Sequence, residues 1–176
     1  MTTSSHRAKH TLTFIGFSTA LFIIGTGIAY AASALVVALG ASQTAGEGVS
    51  ESEAYPAQLE AILRSRGKDI RVINAGHSGE TTDRMLARLD GDVPDDTKLV
   101  ILQPGTNDAK YGGAIDHERN VSEMKKRLAA RKIKILMWTH SDVVGVPLQS
   151  DGVHFTAEGY RMIAQRLASK VISLLQ

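Results

Sequence analysis

Two segments far apart in the sequence carry side chains that could together attack a carbonyl carbon. Ser42 follows the apolar run at residues 35–39, and Asp151 and His154 belong to an Asp-Gly-Val-His sequence near the end of the chain. A serine hydroxyl can act as nucleophile, an imidazole can take its proton, and a carboxylate can orient the imidazole. We therefore predict that Ser42, His154 and Asp151 are catalytic.

Two further segments contain groups that could stabilise a developing oxyanion. Gly79 lies within residues 74–81, and Asn107 lies in the sequence Gly-Thr-Asn-Asp at residues 105–108. The backbone N–H groups of Ser42 and Gly79, with the side-chain amide of Asn107, could form an oxyanion hole. One such donor typically contributes about 3–4 kcal/mol of transition-state stabilisation.

Each of these residues also has a structural interpretation. Ser42 could cap a following helix, or its glycine-rich surroundings could cradle a phosphate. Asp151 could cap the last helix, although Thr156 is better placed for that role, and Asn107 could be a turn residue. The order of the four segments along the chain favours chemistry, because each segment is predicted to lie at the same end of a sheet.

Four apolar runs predict strands buried on both faces, at residues 35–39, 70–74, 98–102 and 133–138. Segments with apolar residues at helical spacing separate them, and a long amphipathic helix ends the chain. This alternation predicts an α/β fold with a parallel sheet of four to five strands and helices on both faces. The carboxyl ends of parallel strands meet at one edge, where ligands bind in such sheets. A further short extended piece is expected at residues 143–146.

The four segments resemble the conserved blocks of the SGNH hydrolases, also called the GDSL esterase/lipase family. The sequence Gly-Ala-Ser-Gln at residues 40–43 resembles the serine block, and residues 74–81 resemble the second block, with Gly79 as its oxyanion glycine. Gly-Thr-Asn-Asp matches the third block, and Asp-Gly-Val-His matches the fifth. The resemblance spans residues 35 to about 170, and it is greatest to the bacterial periplasmic thioesterase/lysophospholipase-type members.

The resemblance implies a flavodoxin-like three-layer α/β/α sandwich and hydrolysis of carboxylic esters or thioesters through a Ser-His-Asp triad and an acyl-enzyme. It implies a small-molecule substrate and no metal or other cofactor. Two residues depart from the family pattern, since Ala41 replaces an aspartate and Gln43 replaces a leucine. Only 46 residues separate Asn107 from His154, so we expect an open, shallow site that prefers small or flexible acyl groups.

The beginning of the chain has the composition of a secretory signal peptide. Residues 1–10 are basic, residues 11–28 are uncharged and largely apolar, and residues 29–34 contain small-x-small sequences typical of a cleavage site. We predict a leader at residues 1–34, a hydrolase domain at residues 35–176, and a periplasmic or secreted location. If the leader is not cleaved, residues 11–28 would anchor the domain to a membrane outside the cytoplasm.

Composition excludes several other classes of site. The chain has no cysteine, so it has neither disulfides nor thiolate metal ligands. Removing residues 1–34 leaves 18 basic and 18 acidic residues, which provides no electrostatic reason to expect a nucleic-acid partner. Two alternatives to an esterase stay open: a carbohydrate or cell-envelope deacetylase with the same triad, and a non-catalytic flavodoxin-like binding module.

Overall fold

The computed structural model describes residue 1 and residues 33–111 and 114–176. The chain divides into two units, residues 1–30 and 31–176, and every element described here belongs to the second unit. The predicted leader, including residues 11–28, therefore falls outside the described residues. Within the described part of the chain, no helix combines the length and apolar character needed to span a membrane.

A four-stranded parallel sheet forms the centre of the described domain. In sequence order its strands are β1 (Ala34–Gly40), β2 (Ile70–Gly76), β3 (Thr97–Gln103) and β4 (Lys134–Met137). Their order across the sheet is β2-β1-β3-β4. The chain first moves to one side of β1 and then to the other, so β1 and β3 border the point at which the direction reverses. Clefts at this point are where open α/β sheets bind ligands.

Seven α-helices occur among the described residues, and four of them cover the sheet. The helices are α1 (Ser42–Ala45), α2 (Tyr55–Ser65), α3 (Thr82–Asp92), α4 (Asn107–Lys110), α5 (Ala114–Ala130), α6 (His140–Val143) and α7 (Ala157–Leu175). Helices α2 and α7 pack on one face of the sheet, and α3 and α5 pack on the other. The α/β class with a parallel sheet between two helical layers is confirmed.

Successive residues of the central strands face opposite layers of the core. Val36 and Ala38 belong to the cluster beneath α2 and α7, whereas Val37 and Leu39 belong to the cluster beneath α3 and α5. All four are completely buried. A strand covered on both sides needs no polar alternation, which is why a continuous apolar run correctly predicted β1.

Local signals explain where several helices begin and end. Pro56 lies in the first turn of α2, where its missing N–H disrupts no helical hydrogen bond. Gly67 follows that helix with φ of +71°, the left-handed conformation that ends many helices. Thr156 caps α7 by accepting a hydrogen bond from the N–H of Gly159 at 3.1 Å, as its position predicted.

The prediction of an extended piece at residues 143–146 is wrong. Residues 140–143 form α6, and Thr139 and Asp142 make a capping box at its start. Asp142 also accepts a hydrogen bond from Lys170 Nζ of α7 at 2.5 Å. The local capping box and the long-range bond from Lys170 together override the extended preference of the valines. The strand-like pairing in this region is instead an isolated antiparallel bridge between Leu148 and Phe155.

Two helix boundaries lie close to the strands that they connect. The short helix α1 (Ser42–Ala45) begins two residues after β1 ends. Helix α3 continues through Gly91 to Asp92. Asp92 forms an ion pair with Arg88 one turn earlier, and an (i, i+4) pair of this kind supports the last turn of a helix.

The burial of β3 predicts that two leucine-to-alanine substitutions differ greatly in their effect on the free energy of unfolding. Leu102 of β3 is completely buried, whereas Leu148 is 45% exposed. We expect Leu102→Ala to lower the free energy of unfolding by about 2–5 kcal/mol, through lost burial and the remaining cavity. Leu148→Ala should lower it by less than about 1 kcal/mol. Urea denaturation of both variants tests this, and equal losses would contradict the core assignment.

Candidate active site

Ser42 is held at the carboxyl edge of the sheet by a sharp turn, here called the serine turn (residues 40–45). It is the first residue of α1, so its N–H lies outside the hydrogen bonds of that helix. Gly40 must be a glycine, because a Cβ atom there would lie 2.1 Å from Thr44 Oγ1 and 2.8 Å from the carbonyl oxygen of Gln103. The serine is therefore presented from closely packed backbone rather than from a long loop.

His154 and Asp151 lie on a second tight turn, here called the histidine turn (residues 149–155). Gly152 has φ of +68°, which allows the chain to reverse between the acid and the imidazole. Asp151 Oδ1 accepts hydrogen bonds from the N–H groups of Val153 at 2.9 Å and His154 at 3.0 Å. The N–H of Gln149 donates to the carbonyl of His154 at 2.7 Å. The turn thus fixes the carboxylate and the ring relative to one another.

The two turns meet so that the serine, histidine and aspartate form a continuous hydrogen-bonded series. Ser42 Oγ lies 2.9 Å from His154 Nε2, and His154 Nδ1 lies 2.6 Å from Asp151 Oδ2. With the ring proton on Nδ1, the hydroxyl of Ser42 donates to Nε2 and the ring donates to Asp151. The side chain of His154 is 18% exposed and that of Asp151 is 44% exposed, so the series lies near the surface.

The environment keeps Asp151 ionised. Hydrogen bonds from the backbone N–H groups of His154 and Val153, followed by the one from the His154 ring, lower the pKa of Asp151 to about 2. A permanent carboxylate beside Nδ1 favours the tautomer in which Nε2 is free to accept a proton. This charge does not depend on the residue before the serine, where Ala41 replaces the family's aspartate.

Gly79 and Asn107 line the same cleft as Ser42 and His154, as the order of the strands predicts. This cleft has a volume of about 560 Å³. Gly79 has φ of +71°, and Asn107 Nδ2 donates to the carbonyl of Glu80 at 2.9 Å. That bond uses one of the two amide protons and orients the other. All five residues predicted from the sequence therefore lie around one depression.

A largely buried guanidinium connects the backbone segments that surround this cleft. Arg88 of α3 pairs with Glu80, and its Nη2 donates to the carbonyls of Gly40 at 3.2 Å and Ala75 at 3.0 Å. The side chains of Arg88 and Glu80 are 15% and 7% exposed. One cation therefore links the ends of β1 and β2 to the segment that carries Gly79.

Asp108 supports the cleft from the other side. Its carboxylate is buried and accepts hydrogen bonds from Thr82 Oγ1 at 2.6 Å and from the N–H of Thr82 at 3.2 Å. His117 Nδ1 lies 3.2 Å from the same carboxylate. Burial alone would raise the pKa of Asp108, but these bonds lower it below its ordinary value. Asp108 thereby joins α4, which begins at Asn107, to the start of α3.

The described residues contain no cluster of three or more histidine or acidic side chains that could hold a metal ion. The expectation of cofactor-free chemistry stays a prediction.

His77 lies beside the segment that carries Gly79. Its side chain is 58% exposed, and its Nδ1 lies 3.7 Å from Glu80 Oε1.

Sequence reasoning missed the residues that hold the site together. Arg88 lies on an amphipathic helix among other charged residues, and nothing in its spacing marks it as largely removed from solvent. Gln103 offered a signal, because it is a polar residue at the end of an apolar strand and is only 6% exposed. Gln43 departs from the family pattern, and its position in the sequence gives it no structural role.

The family model described as "GDSL-like Lipase/Acylhydrolase family" matches residues 38–150, nearly two thirds of the chain. The chain belongs to this family. The match includes the serine turn and the segments that carry Gly79 and Asn107, and it ends directly before Asp151.

Individual relatives agree with the family assignment. The chain is 32% identical to Esterase TesA from Pseudomonas aeruginosa over 109 residues, which is 61% of this chain and 54% of that protein. It spans about half the length of the curated relatives it matches.

Two solved structures have a similar fold. AlinE4, described as an SGNH-hydrolase family esterase, is 30% identical with a TM-score of 0.61, and the match covers 82% of this chain and 97% of that one. A crystal structure of TesA has a TM-score of 0.66 at 24% identity, covering 81% of this chain and 98% of that one.

The pKa of Asp151 predicts a specific dependence of stability on pH. A carboxylate whose pKa is lower in the folded state contributes stability above its unfolded value, about 3.9, and loses it as pH falls through about 2. Replacing it in Asp151→Asn removes this contribution. We expect the difference in unfolding free energy between wild type and Asp151→Asn to be constant above about pH 5 and to shrink below pH 4. Urea titrations at several pH values measure it, and a constant difference down to pH 2.5 would contradict the assigned pKa.

The Arg88–Glu80 pair predicts a second stability difference. In Arg88→Met the carboxylate of Glu80 stays buried without its partner, which should reduce the unfolding free energy by about 3–5 kcal/mol. The matched control is Arg161→Met, which removes an exposed pair with Glu158 and should change the unfolding free energy far less, because water already screens that pair. Adding Glu80→Gln to Arg88→Met should recover part of the loss. Equal effects of the two arginine substitutions in chemical denaturation would show that Arg88 has no special role.

Proposed function

We propose that this chain is a serine hydrolase that cleaves carboxylic esters of small molecules through an acyl-enzyme. The observation that carries the proposal is the pair of distances joining Ser42 Oγ to His154 Nε2 and His154 Nδ1 to Asp151 Oδ2, at 2.9 and 2.6 Å. Membership of the GDSL-like family and similarity to proteins named as esterases support it.

In the proposed first step, His154 Nε2 takes the proton of Ser42 as Oγ attacks the ester carbonyl carbon. Asp151 stabilises the imidazolium that forms and keeps its orientation. The N–H groups of Ser42 and Gly79 and the amide of Asn107 donate to the oxyanion. Donors held rigidly in this way act on charge that is present only in the transition state.

The intermediate then collapses, and His154 returns the proton to the departing alcohol. A water molecule attacks the acyl-serine with His154 as base, which releases the carboxylic acid and restores the hydroxyl of Ser42. A thiol leaving group would follow the same steps, so thioester cleavage is included in the proposal as a second reaction of the same site.

The dimensions of the site favour small acyl groups. A depression of about 360 Å³ adjoins Ser42, with Trp138, Val143 and Phe155 among its apolar lining residues. The residues between Asn107 and His154 form two short helices, α4 and α6, besides α5 and β4. The described part of the chain contributes no long insertion over the cleft, so a long acyl chain would extend into solvent.

Two alternatives differ in what they predict. A carbohydrate or cell-envelope deacetylase would use the same groups on acetylated polymers, and a substrate panel separates it from an esterase. A non-catalytic module has no need of an imidazole placed between a hydroxyl and a carboxylate. Export of the domain, which residues 1–34 predict from their sequence, completes the proposal.

The central prediction concerns Ser42. We expect Ser42→Ala to lower kcat for nitrophenyl acetate by about 10³-fold or more, because the acyl-enzyme cannot form. A fluorophosphonate probe should label wild type and leave this variant unlabelled. Steady-state hydrolysis and intact-mass spectrometry measure the two effects.

The matched control is Ser169→Ala, which makes the same change on the exposed surface of α7 and should keep wild-type activity and labelling. Equal turnover by wild type and Ser42→Ala would remove Ser42 as the nucleophile. A wild-type protein that neither turns over an ester nor reacts with the probe would favour the binding module.

A further inference from the structure

Two glutamine side chains connect the serine turn to the histidine turn. Gln103 is the last residue of β3, and its Oε1 accepts hydrogen bonds from the N–H of Ala41 at 3.2 Å and from Thr44 Oγ1 at 3.1 Å. Both donors belong to the serine turn, one of them directly before Ser42. The acceptor side of the Gln103 amide is therefore fully used by this turn.

The occupied acceptor determines the orientation of both amides. Gln103 Nε2 faces Gln43 and donates to its Oε1 at 3.3 Å. This leaves the Nε2 of Gln43 as a donor, and it binds the carbonyl of Val153 at 3.1 Å. Turning either amide around would set two acceptors or two donors against each other in a partly buried position, so the series has one favourable direction.

The series ends on the backbone next to the imidazole. Val153 directly precedes His154, and its own N–H donates to Asp151 at 2.9 Å. The carbonyl that Gln43 binds and the N–H that Asp151 binds thus fix this residue from two sides. The link runs from the end of a buried strand, through the serine turn, to the histidine turn without adding a charge beside the imidazole.

We propose that Gln43 and Gln103 are positioning residues that set the separation between Ser42 Oγ and His154 Nε2. This inference rests on the proposed function, because the separation matters only if the imidazole takes the serine proton. Side chains that hold reacting groups in register influence kcat strongly, since a displacement of about 1 Å can reduce the rate about 10²-fold. Neither glutamine needs to touch the substrate for this effect.

The test compares two substitutions of Gln43 that differ in hydrogen bonding. Gln43→Leu removes the donor to Val153, and Gln43→Glu keeps the size of the side chain but presents a carboxylate oxygen to the Val153 carbonyl. On a short nitrophenyl ester at pH 8, we expect kcat to fall about 10-fold in Gln43→Leu and about 50-fold in Gln43→Glu. KM should change much less than kcat, because a displaced imidazole impairs proton transfer in the transition state rather than binding of the ester.

Acidification provides a rescue that a purely structural role would not produce. A protonated carboxyl group at position 43 can donate to Val153 and accept from Gln103, as the native amide does. The ratio of wild-type kcat to Gln43→Glu kcat should therefore fall about fivefold between pH 8 and pH 5. Gln165→Glu, which adds the same charge on an exposed part of α7, should match wild type at every pH. A ratio that does not change with pH would overturn the proposal.

Hydrogen exchange tests the link without relying on turnover. The N–H groups of Val153 and His154 should exchange at least fivefold faster in Gln43→Leu than in wild type, and Gln165→Glu should leave them unchanged. Wild-type exchange in Gln43→Leu overturns the link, and faster exchange with unaltered kcat overturns its role in positioning. A wild-type protein with no hydrolytic activity would refute the proposed function, whereas active wild type with equally active Gln43 variants would refute only this inference.

Discussion

The close approach of backbone at the carboxyl edge of the sheet is the constraint from which the site follows. A Cβ atom at Gly76 would lie 2.1 Å from the N atom of Ala45, and one at Gly40 would lie equally close to Thr44 Oγ1. These two glycines are direct partners in the register of β1 and β2. Because both residues lack side chains, α1 packs directly on the strand ends, and this close packing holds the backbone of Ser42 in place. A larger residue at either position would displace the serine turn and its hydrogen bonds.

Polar groups at this edge are satisfied by side chains that come from several elements. Arg88 reaches from α3 to the carbonyls of Gly40 and Ala75, and Gln103 reaches from β3 to the serine turn. Both side chains are largely removed from water, so each unpaired donor or acceptor there would be costly. The same bonds that satisfy the buried groups also hold in place the backbone that surrounds the cleft. Stability and the geometry of the site are therefore coupled in this region.

In the proposed triad, Ser42 is held more firmly by packing than Asp151 and His154 are. Ser42 lies against the buried end of the sheet, whereas Asp151 is 44% exposed on a turn with a left-handed glycine. The histidine turn depends on its own backbone hydrogen bonds, on the bridge from Leu148 to Phe155, and on contacts with the serine turn. Local opening is easiest where few buried contacts oppose it. The proposed glutamine link would limit such opening at the point where the imidazole must stay near the hydroxyl.

The sequence alone determined the fold class, the four strands and the residues that meet around the cleft. Continuous apolar runs identify strands covered on both faces, and parallel strands bring the segments after them to one edge, so Ser42, Gly79 and Asn107 had to be neighbours. Only the tertiary structure decided that Arg88 is largely buried against Glu80, that residues 140–143 are helical, and that Gln103 and Gln43 join the two turns. The spacing of apolar residues along a segment predicts whether that segment is helix or strand. These contacts instead depend on partners elsewhere in the chain, up to 110 residues away in the bond from Gln43 to Val153. Their directions and distances arise from packing of the whole domain, which local patterns do not encode.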